Sequence, residues 1–308
     1  MLQSIEIENF RCFEKTSISG FEQINLITGK NNSGKTALLE AIFFCLSPQA
    51  GEIIENSRKT SKDSDNAKNL CFNQRTNIPL TIKCGTNALS ANPRLHIPNV
   101  LESYQTESRN YFQLQFIFDK DYQIPVIENF AKFFDDEIIS GNSKTILQSL
   151  AVIDESIEEI RTFGSRQGVL YLRKKGNDNY ISINYFGDAI QKIVRYVVNV
   201  LDLAKSGKKG RILLIDEIEN GIHYTAQAEV WRMLMKLCKH YNIQLFATTH
   251  SLEMIKAFQS VCSEDEFSGM GGYFELGRNP KSQQIIGVKH DLETLEYELA
   301  SGDTIRGE

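Results

Sequence analysis

Across residues 2–8 the apolar positions Leu2, Ile5 and Ile7 stand against Gln3, Glu6 and Glu8, the period of a strand with one buried face. Arg11-Cys12-Phe13 and Thr16-Ser17-Ile18 continue toward a second strand, and Ile24-Asn25-Leu26-Ile27 reads as a third. From about Ser33 the period lengthens. Ala37, Leu38, Leu39, Ala41, Ile42 and Phe43 predict a helix that ends before Pro48. Residues 55–79 are rich in Asn, Ser, Lys and Thr and have no period, which predicts a surface excursion rather than a core element. Strand character returns at Leu80–Lys83 and at Tyr111–Phe118, with loop-like, proline-bearing residues 85–110 between them.

Residues 126–163 carry helical spacing in short pieces, broken at Ser140-Gly141-Asn142 and at Gly164. Val169-Leu170-Tyr171-Leu172 and Tyr180-Ile181-Ser182-Ile183 flank Lys175-Gly176-Asn177-Asp178-Asn179, the pattern of a hairpin. From residue 188 to about residue 258 helix and strand alternate, as they do where parallel strands are joined by crossover helices. Two strand-like runs follow from Gly272, then a last helix near residues 291–300. There is no internal repeat and no sustained heptad.

Gly29-Lys30-Asn31-Asn32-Ser33-Gly34-Lys35-Thr36 lies between the third strand and the first helix. Glycines let the backbone bend round a phosphate so that its N–H groups point inward. Lys35 then reaches the β- and γ-phosphates, and the Thr36 hydroxyl is placed to ligate Mg²⁺. The positive end of the following helix adds to the attraction. ATP and Mg²⁺ are therefore the expected ligands, with Gly29, Asn31, Asn32, Ser33, Gly34, Lys35 and Thr36 around the phosphates.

Ile212-Leu213-Leu214-Ile215 is a short continuous aliphatic run that ends in Asp216-Glu217. Such a run suits a strand buried on both faces, and ligands collect at the carboxyl ends of strands in parallel sheets. Asp216 is the expected second Mg²⁺ ligand. Glu217, one residue on, is the expected acceptor of a proton from a water attacking the γ-phosphate. An acidic cap at the start of an unrelated helix is the plainer alternative. Leu245-Phe246-Ala247-Thr248-Thr249-His250-Ser251 is another buried-strand pattern, and His250 at its end is expected to hydrogen-bond the γ-phosphate. Catalytic work thus falls to Glu217, His250 and Lys35. Of the other histidines, only His223 follows closely enough on Glu219-Asn220-Gly221 to lie near the nucleotide.

Composition narrows the picture further. The 308 residues, 41% hydrophobic and 24% charged, have a net charge of −5, which argues against a chain coated in nucleic acid. Arg173-Lys174-Lys175 and Lys205-Ser206-Gly207-Lys208-Lys209-Gly210-Arg211 read as solvated turns before DNA contacts. The six cysteines form no CxxC pair and have no histidines at zinc-ligand spacing, so buried reduced thiols are expected. The chain opens on a strand-like alternation rather than a leader, and no run approaches about 18 uncharged apolar residues, so a cytoplasmic protein without a membrane span is expected.

The order of these segments resembles that of the ABC-class ATPase heads, and within that class the OLD (overcoming lysogenisation defect) group, related to RecF and SMC proteins. The resemblance rests on Asn9-Phe10-Arg11-Cys12-Phe13, the glycine-rich loop, Leu214-Ile215-Asp216-Glu217-Ile218-Glu219-Asn220-Gly221-Ile222-His223 and Phe246-Ala247-Thr248-Thr249-His250-Ser251. Leu150-Ala151-Val152-Ile153-Asp154 and the terminal Arg306-Gly307-Glu308 belong to it as well. It implies an α/β, ABC-type head with a mixed or parallel central sheet flanked by helices, an antiparallel β lobe and a helical insertion. A single head would span residues 1–308. N-terminal strands, loop and helix would occupy 1–50, a polar insertion and β lobe 51–120, a helical insertion and hairpin 121–187, and the rest of the site 188–308.

The resemblance further implies a homodimer that sandwiches two ATP molecules, each held by the loop of one protomer and a signature segment of the other. That segment falls near Asn184-Tyr185-Phe186-Gly187-Asp188-Ala189-Ile190-Gln191-Lys192, with Asn184 and Gly187 as its nucleotide contacts. Relatives usually carry a serine and a further glycine there, so fast dimer-linked hydrolysis is less firmly implied. By the same similarity Arg11 contacts the nucleotide, although from composition alone it is a surface arginine. Without coiled coils a DNA-tethering rod is not expected, and without a Toprim domain any nuclease would be a separate effector subunit. Three functions stay open at this point: a switch for an effector in defence against phage, a RecF-like ATPase that grips DNA, and a nucleotide-binding scaffold with little turnover.

Overall fold

The structure, a computed structural model, describes residues 1–47, 70–75, 77–85, 87–91, 112–117, 141–163 and 170–301. In chain order these form β1 (Ser4–Phe10), β2 (Phe13–Ser19), β3 (Ile24–Gly29), α1 (Lys35–Leu46), β4 (Leu80–Cys84), β5 (Asn87–Ala91) and β6 (Phe112–Ile117). They continue as α2 (Ser143–Leu150), β7 (Ile157–Thr162), β8 (Leu170–Lys174), β9 (Ile181–Ser182), α3 (Asp188–Lys205), β10 (Gly210–Ile215) and α4 (Gln227–Tyr241). β11 (Gln244–Thr248), α5 (Leu252–Cys262), β12 (Gly271–Arg278), β13 (Ile285–His290) and α6 (Leu292–Ser301) complete them. The expected excursion over 55–69, the loop at 92–110, the helical spacing at 126–140 and the Arg306–Glu308 ending lie outside the described residues.

The central sheet has six strands in the order β13-β12-β3-β11-β10-β6. β6, β10, β11, β3 and β12 run parallel, and β13 returns antiparallel beside β12. The aliphatic runs owe their lack of alternation to burial on both sides. Leu213 and Ile215 of β10, with Leu245 and Ala247 of β11, join the core under α3, α4 and α5. Ile212, Leu214 and Phe246, one residue out of phase, pack on the other face against α1 and the β lobe. Trp231, fully buried on α4, meets the ring of Phe258 on α5 at 4.9 Å and ties the helical layer together.

The β lobe is an antiparallel sheet of order β2-β1-β4-β5. Ile5 and Ile7 face its core while Glu6 and Glu8 face water, as their alternation requires. β6, which follows the lobe in sequence, pairs with β10 at the edge of the central sheet instead.

The insertion departs from its predicted helical character. α2 is helical, but Ile157–Thr162 is a strand in a three-stranded antiparallel sheet with β8 and β9. Ile157 and Ile160 are three residues apart, the spacing of a helix face. A register shift between Ile157 and Glu159 puts both on the buried side of a strand, so the bulge imitates a helical period. The basic run Arg173-Lys174 is likewise in strand β8 rather than a solvated turn, with Arg173 paired to Glu158 and Glu159 and Lys174 to Asp154.

Candidate functional site

Gly29 ends β3, and the loop from Lys30 to Gly34 carries the chain into α1. The helix opens at Lys35 rather than near Ser33, because Gly34 has the left-handed conformation (φ 97°) and cannot continue it. A Cβ on Gly29, also at positive φ (139°), would lie 2.3 Å from the Leu276 carbonyl oxygen, and one on Gly34 would lie 2.8 Å from the Cys12 sulfur. Both positions need a bare backbone. Gly29→Ala is therefore expected to displace the loop from β12 and abolish nucleotide binding, which titration with a fluorescent ATP analogue would detect.

Lys35, 5% exposed, folds back so that its Nζ donates to the carbonyls of Gly29 (2.8 Å) and Lys30 (3.0 Å). Burial pulls its pKa down to about 8, and the nearby carboxylates of Asp216, Glu217 and Glu219 only partly offset that. The Ser33 hydroxyl is buried in the same loop and has no hydrogen-bond partner among the described residues. The start of α1 has no side-chain cap. An ammonium group, a lone hydroxyl and uncapped N–H groups together suit a polyphosphate.

Across the loop, Asp216 follows directly on β10 and Thr248 ends β11. The Thr36 hydroxyl donates to Asp216 Oδ2 at 2.9 Å, and the Thr248 hydroxyl donates to Asp216 Oδ1 at 2.6 Å. Two adjacent oxygen donors, a carboxylate and a hydroxyl, fit Mg²⁺, which takes oxygen ligands and usually only one or two carboxylates. Glu217 sits at positive φ (51°), its N–H donating to Thr248 Oγ1 at 2.8 Å. Asn220 Nδ2 donates to Glu217 Oε2 at 2.7 Å, and His250 Nε2 lies 3.8 Å from Glu217 Oε1. The His250 backbone N–H donates to Glu219 Oε1 at 2.6 Å. Glu217 and His250 are each about one-third exposed, so this end of the site opens to solvent.

The structure thus brings Lys35, Thr36, Asp216, Glu217 and His250 together. It adds Thr248, Glu219 and Asn220, which in the sequence are only parts of longer runs. The available signal was polarity at the end of a buried strand and two polar residues just after an acidic pair. Thr248 is the linchpin, since one hydroxyl serves both Asp216 and the Glu217 N–H. Thr248→Val is expected to leave both short of a partner and to lower unfolding stability by roughly 1–3 kcal/mol, read from the denaturant midpoint.

The other predicted residues take no part in these hydrogen bonds. Asn31 and Asn32 are exposed at the loop tip. Arg11, on the β1–β2 turn, pairs with Glu40 of α1 at 3.2 Å and lines a cavity of about 610 Å³ with Cys12, Phe72, Asn73, Arg278 and Gln283. Asn184 and Gly187 are exposed just before α3, and no hydrogen bond between described residues joins them to the loop. His223 is exposed, its ring against that of Tyr224 and its Nδ1 2.9 Å from the Thr225 hydroxyl.

A glycine loop after one parallel strand, a threonine-histidine end on the strand beside it and an acidic pair on the strand beyond define a P-loop ATPase of the ABC class. A family model described as "AAA ATPase domain" matches residues 1–112, and one described as "AAA domain, putative AbiEii toxin, Type IV TA system" matches residues 87–256. The chain belongs to this second family. Over its full length it aligns with the whole of an "ATP/GTP phosphatase" of Helicobacter pylori, 25% identical over 386 positions. A 44-residue stretch is 50% identical to the DNA replication and repair protein RecF of Chlorobium phaeovibrioides, covering 14% of this chain and 12% of that one. The Smc head domain with an extended coiled coil, bound to the C-terminal domain of ScpA derived from Pyrococcus furiosus, superposes with a TM-score of 0.57. It is 11% identical and covers 97% of this chain and 98% of that one, a likeness of fold. No helix among the described residues is long and apolar enough to cross a membrane.

Proposed function

We propose that this chain is a single OLD-like head, residues 1–308, that binds and hydrolyses ATP and works as a paired switch for a separate effector. The observation that carries the reading is convergence: Lys35 and Thr36, Asp216 and Glu217, and Thr248 and His250 meet at the carboxyl ends of three strands in the order β3-β11-β10.

In this reading the loop N–H groups and the Ser33 hydroxyl take phosphate oxygens. Lys35 exchanges two backbone carbonyls for phosphate, a stronger partner because both groups are then charged. Mg²⁺, when bound, would be held by Thr36 and Asp216 and would neutralise charge on the phosphates. Glu217, oriented by Asn220, accepts the proton of the attacking water. His250, held by Glu219, meets the terminal phosphate as charge moves onto it. The Arg11 cavity, beside Gly34, suits the nucleoside end of the ligand.

The paired state follows from the resemblance to sandwiching heads, with Asn184 and Gly187 of one copy completing the site of another. An effector such as a nuclease, in antiphage defence, is the output we favour. The phosphatase named in Helicobacter pylori and the toxin in the family description are in keeping with a nucleotide-governed head. A head that grips DNA itself is less well supported, because Arg173 and Lys174 are matched by Glu158, Glu159 and Asp154. Phosphate release from ATP by the full chain, measured beside Lys35→Ala, tests the enzyme. Equal release from the two would remove the site from the reaction. Co-purification of a nuclease subunit only with ATP present would support the switch, and salt-sensitive DNA binding by the chain alone would favour the DNA reading.

A further inference from the structure

Glu217 and Glu219 follow β10 two residues apart, and each has one carboxylate oxygen held and one left over. Asn220 Nδ2 donates to Glu217 Oε2 at 2.7 Å, and the His250 N–H donates to Glu219 Oε1 at 2.6 Å. Glu217 Oε1 lies 3.8 Å from His250 Nε2, too far for a hydrogen bond, and takes no other donor among the described residues. Glu219 Oε2 is cut off from solvent and has no hydrogen-bond partner among them either. A buried carboxylate oxygen without a donor is costly in a native fold and calls for a ligand that brings one.

The two carboxylates flank one residue. Glu217 approaches the His250 ring and Glu219 holds the His250 backbone, and both favour the charged form of Lys35 in the glycine loop. The absent donor therefore belongs beside the terminal phosphate. Ionised phosphate is itself an acceptor and brings no hydrogen. Mg²⁺ has its own oxygens in Asp216 and the Thr36 hydroxyl that meets it at 2.9 Å, whereas Glu219 is anchored on the His250 turn. Water fits. Its two O–H groups match the two left-over oxygens, and with both engaged a lone pair is free to face the phosphorus. Glu217 is about one-third exposed, so solvent competes for its oxygen and it does not fix the orientation of a water unaided. The buried oxygen of Glu219 has no such competitor.

We infer that Glu219 Oε2 and Glu217 Oε1 hold the two hydrogens of the attacking water between them, which makes Glu219 a second catalytic carboxylate of this site. The inference rests on the hydrolysis reading above and adds to it the group that aims the water. In the step, the water oxygen bonds to the γ-phosphorus. The bond from that phosphorus to the β,γ-bridging oxygen breaks, and its electron pair leaves with ADP. Glu217 takes the proton on its side, and Glu219 keeps its hydrogen bond to the other, now on the hydroxyl of the phosphate formed.

Glu219→Gln separates this role from support of the turn. The amide oxygen still accepts the His250 N–H, but the NH₂ group then presents hydrogens where the carboxylate accepted one. In the full chain with ATP and Mg²⁺, single-turnover phosphate formation is expected to fall roughly ten- to a hundredfold. Affinity for a fluorescent ATP analogue, the Mg²⁺ dependence of hydrolysis and the melting midpoint are expected to stay native. A native single-turnover rate in Glu219→Gln, beside a slow Glu217→Gln, overturns the inference and leaves the hydrolysis reading standing. A loss of rate that raised Mg²⁺ restores makes Glu219 a metal ligand instead. A loss that comes with weaker ATP binding or a lower melting midpoint makes it a structural support, and either result overturns the inference. A native chain that forms phosphate no faster than Lys35→Ala removes the hydrolysis reading and this inference with it.

Discussion

Glu217→Gln is expected to bind ATP as tightly as the native protein and to remain loaded, with turnover lower by about 10²–10⁴-fold, or about 3–5 kcal/mol of barrier. Glu217 is the carboxylate beyond the one that meets Thr36, and no hydrogen bond between described residues joins it to the lysine or the threonine of the loop. Its removal should therefore spare binding. Its backbone is set by the N–H bond to Thr248 Oγ1 and its side chain by Asn220, two contacts that do not need a negative charge. An amide of the same shape keeps the fold of the turn and loses only the ability to accept a proton. Single-turnover hydrolysis against equilibrium binding separates these effects. A variant that hydrolyses ATP at the native rate would remove Glu217 from the chemistry and leave His250, 3.8 Å away, as the nearest other candidate.

Lys35→Met is expected to do two opposite things. Loss of the ammonium group should weaken ATP binding about ten- to a hundredfold, the worth of one or two charge-assisted hydrogen bonds. The nucleotide-free protein should nevertheless become more stable. Lys35 is buried, and its pKa falls from the ordinary 10.5 to about 8, so folding at neutral pH forces a charge out of water. The folded value lies below the unfolded one. Between about pH 8 and 10.5 the unfolded chain therefore binds more protons, and this group's penalty, full below pH 8, is relieved as pH rises through that window. The penalty is roughly 3 kcal/mol at most, less what the carbonyls of Gly29 and Lys30 lose when their donor goes. Denaturant unfolding at pH 7 should show the methionine variant ahead, and at pH 9.5 the gap should narrow. ATP binding by the native protein should weaken as pH rises above about 8, since phosphate needs the protonated lysine. A methionine variant less stable than the native protein at pH 7 would mean that the lysine's carbonyl bonds outweigh its burial.

Much of this molecule is written in short stretches of chain. The glycine loop announces itself because its demands are local: Gly29 and Gly34 must adopt positive φ, and Lys35 and Thr36 must open a helix. The aliphatic runs Ile212–Ile215 and Leu245–Ala247 reveal strands covered on both faces, since no polar residue interrupts them. Such features survive without knowledge of the rest of the fold. Where a local period was ambiguous the reading slipped. Ile157 and Ile160 fit a helix face as well as a bulged strand, and only pairing with β8 distinguishes them.

The class of fold, the phosphate loop and the acidic residues of its site are therefore legible along the chain, because each depends on near neighbours in it. Tertiary structure alone decided how these parts act on one another. Thr248 bridges Asp216 and Glu217 only because β11 lies between β3 and β10. Glu219 holds the His250 turn, and Gly221 sets the Tyr224 loop against the start of α3, through contacts between segments about 30 residues apart. Hydrogen bonds and close packing act over a few ångströms of space, and distance along the chain carries no record of which remote groups the fold will bring within that range.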